Sequence, residues 1–381
     1  MKAIIPSKNL KIARERMNIS VADAAKKMNI KNTQQLIAAE NGESHITFVQ
    51  LNKAAKIYDI PLGYFYLDEM PIDDTPITDY RMNPNYYGLP KSTELIKTIN
   101  TAIKHREEII DIAANLGNKI PVFDTQRTID EDVETVGVRI RQLFPDKCFA
   151  SKSDILNRLI SQLENIGIFV TRIGGEAHNK VSYEEFDGAA MYFDTLPIIL
   201  LNVIDAQVNK NRIVFTIFHE LAHLVLKNSA LTNFYFDDDN SLLNSNMKKV
   251  ETFCNNAAAA ALLPKQRLYR DFEDSSIYEL AEKYRVSKYV VTIRLKNLKL
   301  ISQLECDKLL AKFKKEYESR PAVSYGTDAQ INPNIIKKRN MGNLYISYIR
   351  DALSSNYINY LDALNSLGMK DKAARKVLYG K

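Results

Sequence analysis

The chain of 381 residues has little cysteine, little histidine and no long apolar run. Its three cysteines, Cys148, Cys254 and Cys306, are widely spaced and form no CxxC pair. An odd, scattered set argues against a disulfide framework or a cysteine-held zinc, and for a reducing cytosol. No apolar stretch approaches the roughly 20 residues that span a bilayer. The opening MKAIIPSKNLKIARERMN carries a charge every few residues, unlike a secretory leader. The expected setting is cytoplasmic, without a membrane. Neither sign of charge dominates: 52 Lys and Arg stand against 46 Asp and Glu, a formal net charge of +6. That permits contact with nucleic acid without requiring it. The 45% hydrophobic and 26% charged content is ordinary for a globular protein, and the length allows two or three domains.

What the chain does have begins with a string of short helices between residues 8 and 67. In SVADAAKKMNI, Ser20 is a natural N-cap, and Ala24, Ala25 and Met28 recur at helical spacing. A break over Asn29 to Asn32 leads into TQQLIAAENG, where Leu36 and Ala39 face inward and Gly42 stops the helix. ITFVQLNKAAKIYDIPLGYFYL supplies further amphipathic turns, the last starting at Pro61. Two short helices joined by a tight turn, then supporting helices, form a helix-turn-helix pattern. Ser20 to Gly42, with its closing ENG, and the following LNKAAKIYDIPLGYF resemble the Cro/C1-type (Xre) repressor domains. That resemblance implies that the second helix reads the major groove through Thr33, Gln34 and Gln35, with Lys31 and Asn32 on the backbone. A glutamine amide suits an adenine edge, since it both donates and accepts. Residues 1–67 hold ten basic and five acidic side chains, so the excess charge gathers here. The partner implied is a double-stranded DNA operator, and a homodimer is expected because one such domain reads a half-site. The alternative is a helical protein-interaction module with solvated Gln and Lys.

From Pro71 to Pro90 four prolines interrupt PIDDTPITDYRMNPNYYGLP, which reads as an extended linker. A long helix follows over 92–117, stopped by Gly117, with His105 expected at its surface. Beyond residue 129 helices alternate with strands. Helices are expected in EDVETVGVRIRQLF and KSDILNRLISQLENIG, the second capped by Ser151 or Ser153, and strands in IFVTRI and GAAMYFDTLPIILLN. The second pair of strands breaks near Asp194 to Pro197.

TIFHELAHLVL then places His219 and His223 four residues apart in an apolar helix. Positions i and i+4 share a face, so both imidazoles can converge on one metal ion. Glu220 is turned about 100° from His219, beside such an ion rather than on it, where it can move a proton. Zinc fits best, with three protein ligands and one open position. The third ligand is expected from ETFCNNAAAAALLP, where Glu251 begins a helix, Asn255 lies one turn on, and small alanines allow close approach. The competing explanation is a buried histidine pair bonded to backbone or carboxylate. His45, His105 and His178 lack a comparable partner, and His178 is expected in a solvated loop.

FTIFHELAHLVL, ETFCNNAAAAALLP and SSIYELAEKYRVSKYVVTIRLKNLKLI, in that order, resemble the ImmA/IrrE metallopeptidase family over roughly residues 129–300. The resemblance implies His219, His223 and Glu251 as zinc ligands and Glu220 as general base. It implies supporting roles for Thr216 and Asn255, a docking strap at Asp79-Tyr80-Arg81, and packing rather than DNA contact for the helix-turn-helix-like block at 276–298. Ala222 stands where glycine is usual, and Cys254 where alanine is commoner; the thiol is either inert in the core or open to oxidation. Tyr183, Tyr192 and Tyr235 are candidate oxyanion donors. In the tail, ISQLECDKLLAKFKKEYESR reads as a charged helix, Pro321 to Asn334 as a loop, and Asn343 to Leu378 as two or three helices. Residues 320–381 carry ten basic and four acidic side chains, a patch for DNA, an acidic partner or solvent.

The expected fold is α+β and mostly helical. An all-α helix-turn-helix domain (1–70), a linker and connecting helix (71–128) and a zincin-like domain with a small mixed sheet (129–300) precede a helical C-terminal region (301–381). The expected function is a DNA-binding regulator whose zinc endopeptidase cleaves a helix-turn-helix repressor, including itself. The alternative is an autorepressor or antitoxin, from a toxin–antitoxin or phage element, in which the peptidase fold binds a partner without catalysis.

Overall fold

The computed structural model describes residues 2–71, 77–81, 86, 88–150, 154–174, 181–182, 184–203, 210–233, 245–319 and 332–380. These form two compact units, Met1–Pro76 with Gly88–Thr101, and Ile77–Tyr87 with Ala102–Lys381.

Among its described residues, the first unit is helical but for an isolated bridge between Lys2 and Thr47. It comprises α1 (Ser7–Arg16), α2 (Val21–Met28), α3 (Thr33–Glu40), α4 (Phe48–Ile57), a 3-10 turn over Leu62–Tyr66 and the start of α5 (Thr93–Leu116). Each boundary has a local cause. The Ser20 side chain accepts from the Asp23 amide at 3.1 Å, and Asn32 accepts from the Gln35 amide at 2.9 Å. Thr47 and Gln50 close a reciprocal capping box. Asn29, in the left-handed region at φ 59°, turns the chain between α2 and α3. Leu10, Ala13, Met17, Ala24, Met28, Leu36, Leu51, Ala54 and Phe65 form the core. Within it, Arg14 makes a two-pronged bond to Glu40, Nε and Nη2 each 2.8 Å from a carboxylate oxygen. The glutamate of the ENG signature is therefore a core ion-pair partner.

The second unit is built on a five-stranded mixed sheet in the order β1 (Thr78–Arg81), β5 (Ala230–Asn233), β3 (Gly188–Met191), β4 (Ile198–Asn202) and β2 (Phe169–Ile173). β1 is parallel to β5 and β2 to β4, while β3 is antiparallel to both its neighbours. The Asp-Tyr-Arg segment expected as a strap is the edge strand of this sheet. α8 (Lys210–Val225) packs on β3 and β4, and α9 (Ser245–Leu262) packs on α8 and α6 (Val133–Gln142). α8 is apolar nearly all round, as a helix buried on every side must be. α6 approaches α9 closely because Gly137 has no side chain: a Cβ there would stand 2.4 Å from Ala260 Cβ.

Around this centre lie α7 (Ile155–Asn165), α10 (Lys265–Glu273), α11 (Ile277–Tyr284), α12 (Lys288–Asn297), α13 (Gln303–Glu318), α14 (Pro333–Met341), α15 (Asn343–Ser354), α16 (Tyr360–Leu367) and α17 (Asp371–Tyr379). The α+β, mostly helical expectation holds among the described residues, and none of their helices is long and apolar enough to cross a membrane.

Three local expectations change. α9 starts at Ser245, so Glu251 lies in its second turn rather than at its beginning. The exposed polar turn SNMKKV precedes it and had no apolar periodicity to reveal it. α14 was hidden for a similar reason, its PNIIKKRNM being mostly polar. His105 is not at the surface: only 8% is exposed, and its ring stacks on Tyr345 with centroids 4.0 Å apart. Charged sequence neighbours point elsewhere on the helix while the imidazole turns inward. Ser151, Ser153 and His178 lie outside the described residues, as does half of the Pro71–Pro90 segment.

Candidate metal centre

Two consecutive turns of α8 carry His219, Glu220 and His223, and all three are fully buried. The Nε2 atoms of His219 and His223 point at one spot, 3.1 Å apart. From α9, Glu251 brings one carboxylate oxygen 3.2 Å from His219 Nε2 and the other 3.4 Å from His223 Nε2. Ligand atoms about 2.1 Å from a tetrahedral zinc lie about 3.4 Å from one another, so the separations suit that ion. Among the described residues this is the group of His, Cys, Asp and Glu side chains arranged to hold a metal. Burial pushes His219 down to about 4, against the opposing pull of Glu251. Burial works against the charge of Glu251, but the two histidines outweigh it and hold that carboxyl below its ordinary value. A neutral His219 imidazole beside an ionised Glu251 carboxylate suits a divalent cation. The side chain of Asn255, one turn beyond Glu251, hydrogen-bonds His219.

Glu220, beside this cluster, is held from the side of the sheet. Thr232 of β5 donates its hydroxyl to Glu220 Oε1, and the Ala190 amide of β3 also bonds the carboxylate. Burial raises the Glu220 carboxyl well above its ordinary value; Thr232 opposes the rise, and Glu251 and Asp187 add to it. Gly188 makes the space. A Cβ at that position would stand 2.5 Å from Glu220 Oε1 and 2.7 Å from Thr216 Cγ2. Thr216 itself bonds back to the Arg212 carbonyl at 3.0 Å, so its methyl group faces the sheet. Arg212 Nη2 meets Asp187 Oδ2 at 2.7 Å, tying the start of α8 to the strand that holds Gly188.

Sequence reasoning named His219, Glu220, His223, Glu251, Thr216 and Asn255, and the fold brings all six together. It missed Thr232, Gly188 and the Arg212–Asp187 pair. β5 spans four residues, too short for alternation to show, but the run Gly188-Ala189-Ala190 inside a strand was a legible sign of close approach. Cys254 is fully buried, and burial pushes its thiol well up, which favours the inert reading. Of the tyrosines, Tyr183 and Tyr235 lie outside the described residues. Tyr192 donates its hydroxyl to Asp194 at 2.8 Å, beneath Lys227.

In the first unit, Lys31, Asn32, Gln34 and Gln35 are exposed at the start of α3, and Thr33 is half-buried. The Asn32 oxygen caps the helix, leaving its amide group free to donate outward. Thr33 lies with its hydroxyl 3.2 Å from Gln34 Oε1. In α12, by contrast, Arg294 is buried and donates to both carboxylate oxygens of Glu134 on α6, so the block at 276–298 is a packing element.

Residues 10–65 match the family described as helix-turn-helix, and residues 166–296 match the Peptidase_M78 family, described as the IrrE N-terminal-like domain. No curated protein and no solved structure matches the chain. The chain thus joins an Xre-type helix-turn-helix domain to an IrrE-type domain of a metallopeptidase family.

Proposed function

We propose that this protein is a DNA-binding transcription regulator whose second unit is a zinc-dependent endopeptidase acting on a helix-turn-helix repressor, a second copy of this chain included. The single observation that carries this reading is the convergence of His219, His223 and Glu251 at 3.1–3.4 Å, with Glu220 alongside on its own support. His219, His223 and Glu251 would hold the ion, and Asn255 would steady the first ligand. Zinc, when bound, supplies a Lewis acid that polarises the scissile carbonyl and the attacking water. Glu220 would take a proton from the attacking water and pass it to the leaving amine. Thr232 and Gly188 fix where that carboxylate stands. Lys31, Asn32, Thr33, Gln34 and Gln35 would read a DNA operator, as a homodimer in the cytoplasm.

One observation favours a second reading. His219, Glu220, His223 and Glu251 are exposed by no more than 1%, as in a closed site that holds a metal for structure. The protein would then be an autorepressor or antitoxin of a toxin–antitoxin or phage element, with the second unit binding its partner protein. The two readings separate when the zinc-loaded chain is incubated with helix-turn-helix repressors and with a second, tagged copy of itself. Metal-dependent cleavage that stops on chelation supports the peptidase. Intact substrates, alongside repression that survives Glu220→Gln in cells, support the binding module.

A further inference from the structure

Among the described residues, the turn that joins α2 to α3, in which the C-cap of an eight-residue helix is itself left-handed and a further helix follows, occurs twice more. Each time an eight-residue helix ends on one left-handed residue: Asn29 at φ 59°, Arg285 at φ 57° and Gly368 at φ 53°. The next residue is buried each time, as Ile30, Val286 and Met369. A second short helix then starts within a few residues, as α3, α12 and α17. In the middle copy the second helix is covered. Val291, Thr292, Arg294 and Leu295 are buried, and the cations Arg294 and Lys288 are held by Glu134 and Glu316.

The C-terminal copy differs. α15, α16 and α17 pack on one another through Ile346, Ile349, Ala352, Ala363, Leu367, Ala374, Val377 and Leu378. Arg350 of α15 anchors the end of α17 by donating to the Val377 carbonyl, with Nε at 3.2 Å. The opposite face of α17 presents Lys372, Arg375, Lys376 and Tyr379, spaced i, i+3, i+4 and i+7, and all are exposed. Lys370 adds another exposed cation in the turn. A three-helix unit with this turn, an open second helix and a basic face of one aromatic and no aliphatic side chain fits a polyanionic groove rather than a lipid surface.

We infer that α17 is a second double-stranded DNA contact, separate from α3, and that it touches phosphates rather than bases. Asp371 is the reason for the latter. It sits at the N-terminal end of α17, where a recognition helix meets the base edges, and it bonds Arg375 and Tyr360 there. The contact therefore adds affinity for any duplex and leaves sequence choice to Gln34 and Gln35.

The test measures anisotropy of a fluorescent random-sequence duplex with the full chain over a salt series. Losing two phosphate contacts in Lys372→Ala/Lys376→Ala lowers the salt slope by about 2 and weakens binding about tenfold at moderate salt, equally for every sequence. Lys372→Arg/Lys376→Arg keeps wild-type binding, and unchanged circular dichroism of both variants shows intact folding. In a Gln34→Ala/Gln35→Ala background, sequence preference disappears while the alanine pair still costs the same fold-change. Unchanged affinity and slope in Lys372→Ala/Lys376→Ala would overturn the inference and leave α17 a solvated face.

Discussion

Glu220 stands where Gly188 leaves room for it and Thr232 bonds it, and both contacts are open to single substitutions. In Gly188→Ala the new methyl group would meet Glu220 Oε1 at 2.5 Å, so the carboxylate must move. Overpacking of this kind costs about 1–3 kcal/mol. We expect a lowered melting temperature, retained zinc and a loss of cleavage; wild-type cleavage would show that Glu220 needs no fixed position. Thr232→Val removes the hydroxyl at nearly constant volume. The expected outcome is a folded, zinc-loaded protein with cleavage slowed by about 10–100-fold, since a positioning bond rather than the base itself is lost. Thr232 was illegible in the sequence because it acts through space, and Gly188 left only the mark of a glycine within a strand. His219, Glu220 and His223 announce themselves by spacing along one helix, whereas Thr232 and Gly188 come from two short strands whose pairing places them over that helix.

At the scale of elements, the helix-turn-helix depends on a charge pair that hydrophobic patterning does not reveal. Arg14 on α1 and Glu40 at the end of α3 are both largely buried and bonded at two points. The neighbouring Glu40 raises the Arg14 guanidinium above its ordinary value, so Arg14 stays charged in the core. Removing one partner strands the other: Arg14→Met should cost about 3–5 kcal/mol of unfolding free energy, while Arg14→Met/Glu40→Leu should recover most of it. Denaturant titration of the full chain would contradict this if the single variant were as stable as the double. The Ser20 cap and the Gly42 stop of this unit were legible because each acts on its own backbone neighbourhood. The pair was not, since 26 residues separate its members. Likewise, α14 and the first turns of α9 stayed hidden because their sequences are mostly polar, with few apolar positions to mark a face.

For the molecule as a whole, the fold class and both matched regions could be read from local pattern, while strand order and inward-turned polar groups could not. His105 shows the difference. Charged neighbours suggested a surface position, yet the ring is stacked on Tyr345 and burial holds the imidazole down to about 4, with Lys104 and Lys337 pushing the same way. An unfolded histidine titrates near 6.5. The folded state therefore refuses a proton that the unfolded state accepts. The stability this contributes is present above about pH 6.5 and is lost as the pH falls towards about 4. His105→Phe keeps a ring on Tyr345 without the titration. Its melting temperature, relative to wild type, should rise more at about pH 5 than at about pH 7.5; equal shifts at both would contradict this.

The central claim is that the metal held by His219, His223 and Glu251 is used for proteolysis with Glu220 as the base. The most direct measurement compares wild type and Glu220→Gln, each loaded with zinc and assayed against the same helix-turn-helix substrate. The amide keeps the size of the side chain and cannot take up the proton. The account predicts equal zinc content and cleavage lowered at least about a hundredfold in the variant. Equal cleavage by both proteins, or a Glu220→Gln chain that loses its zinc, would contradict it.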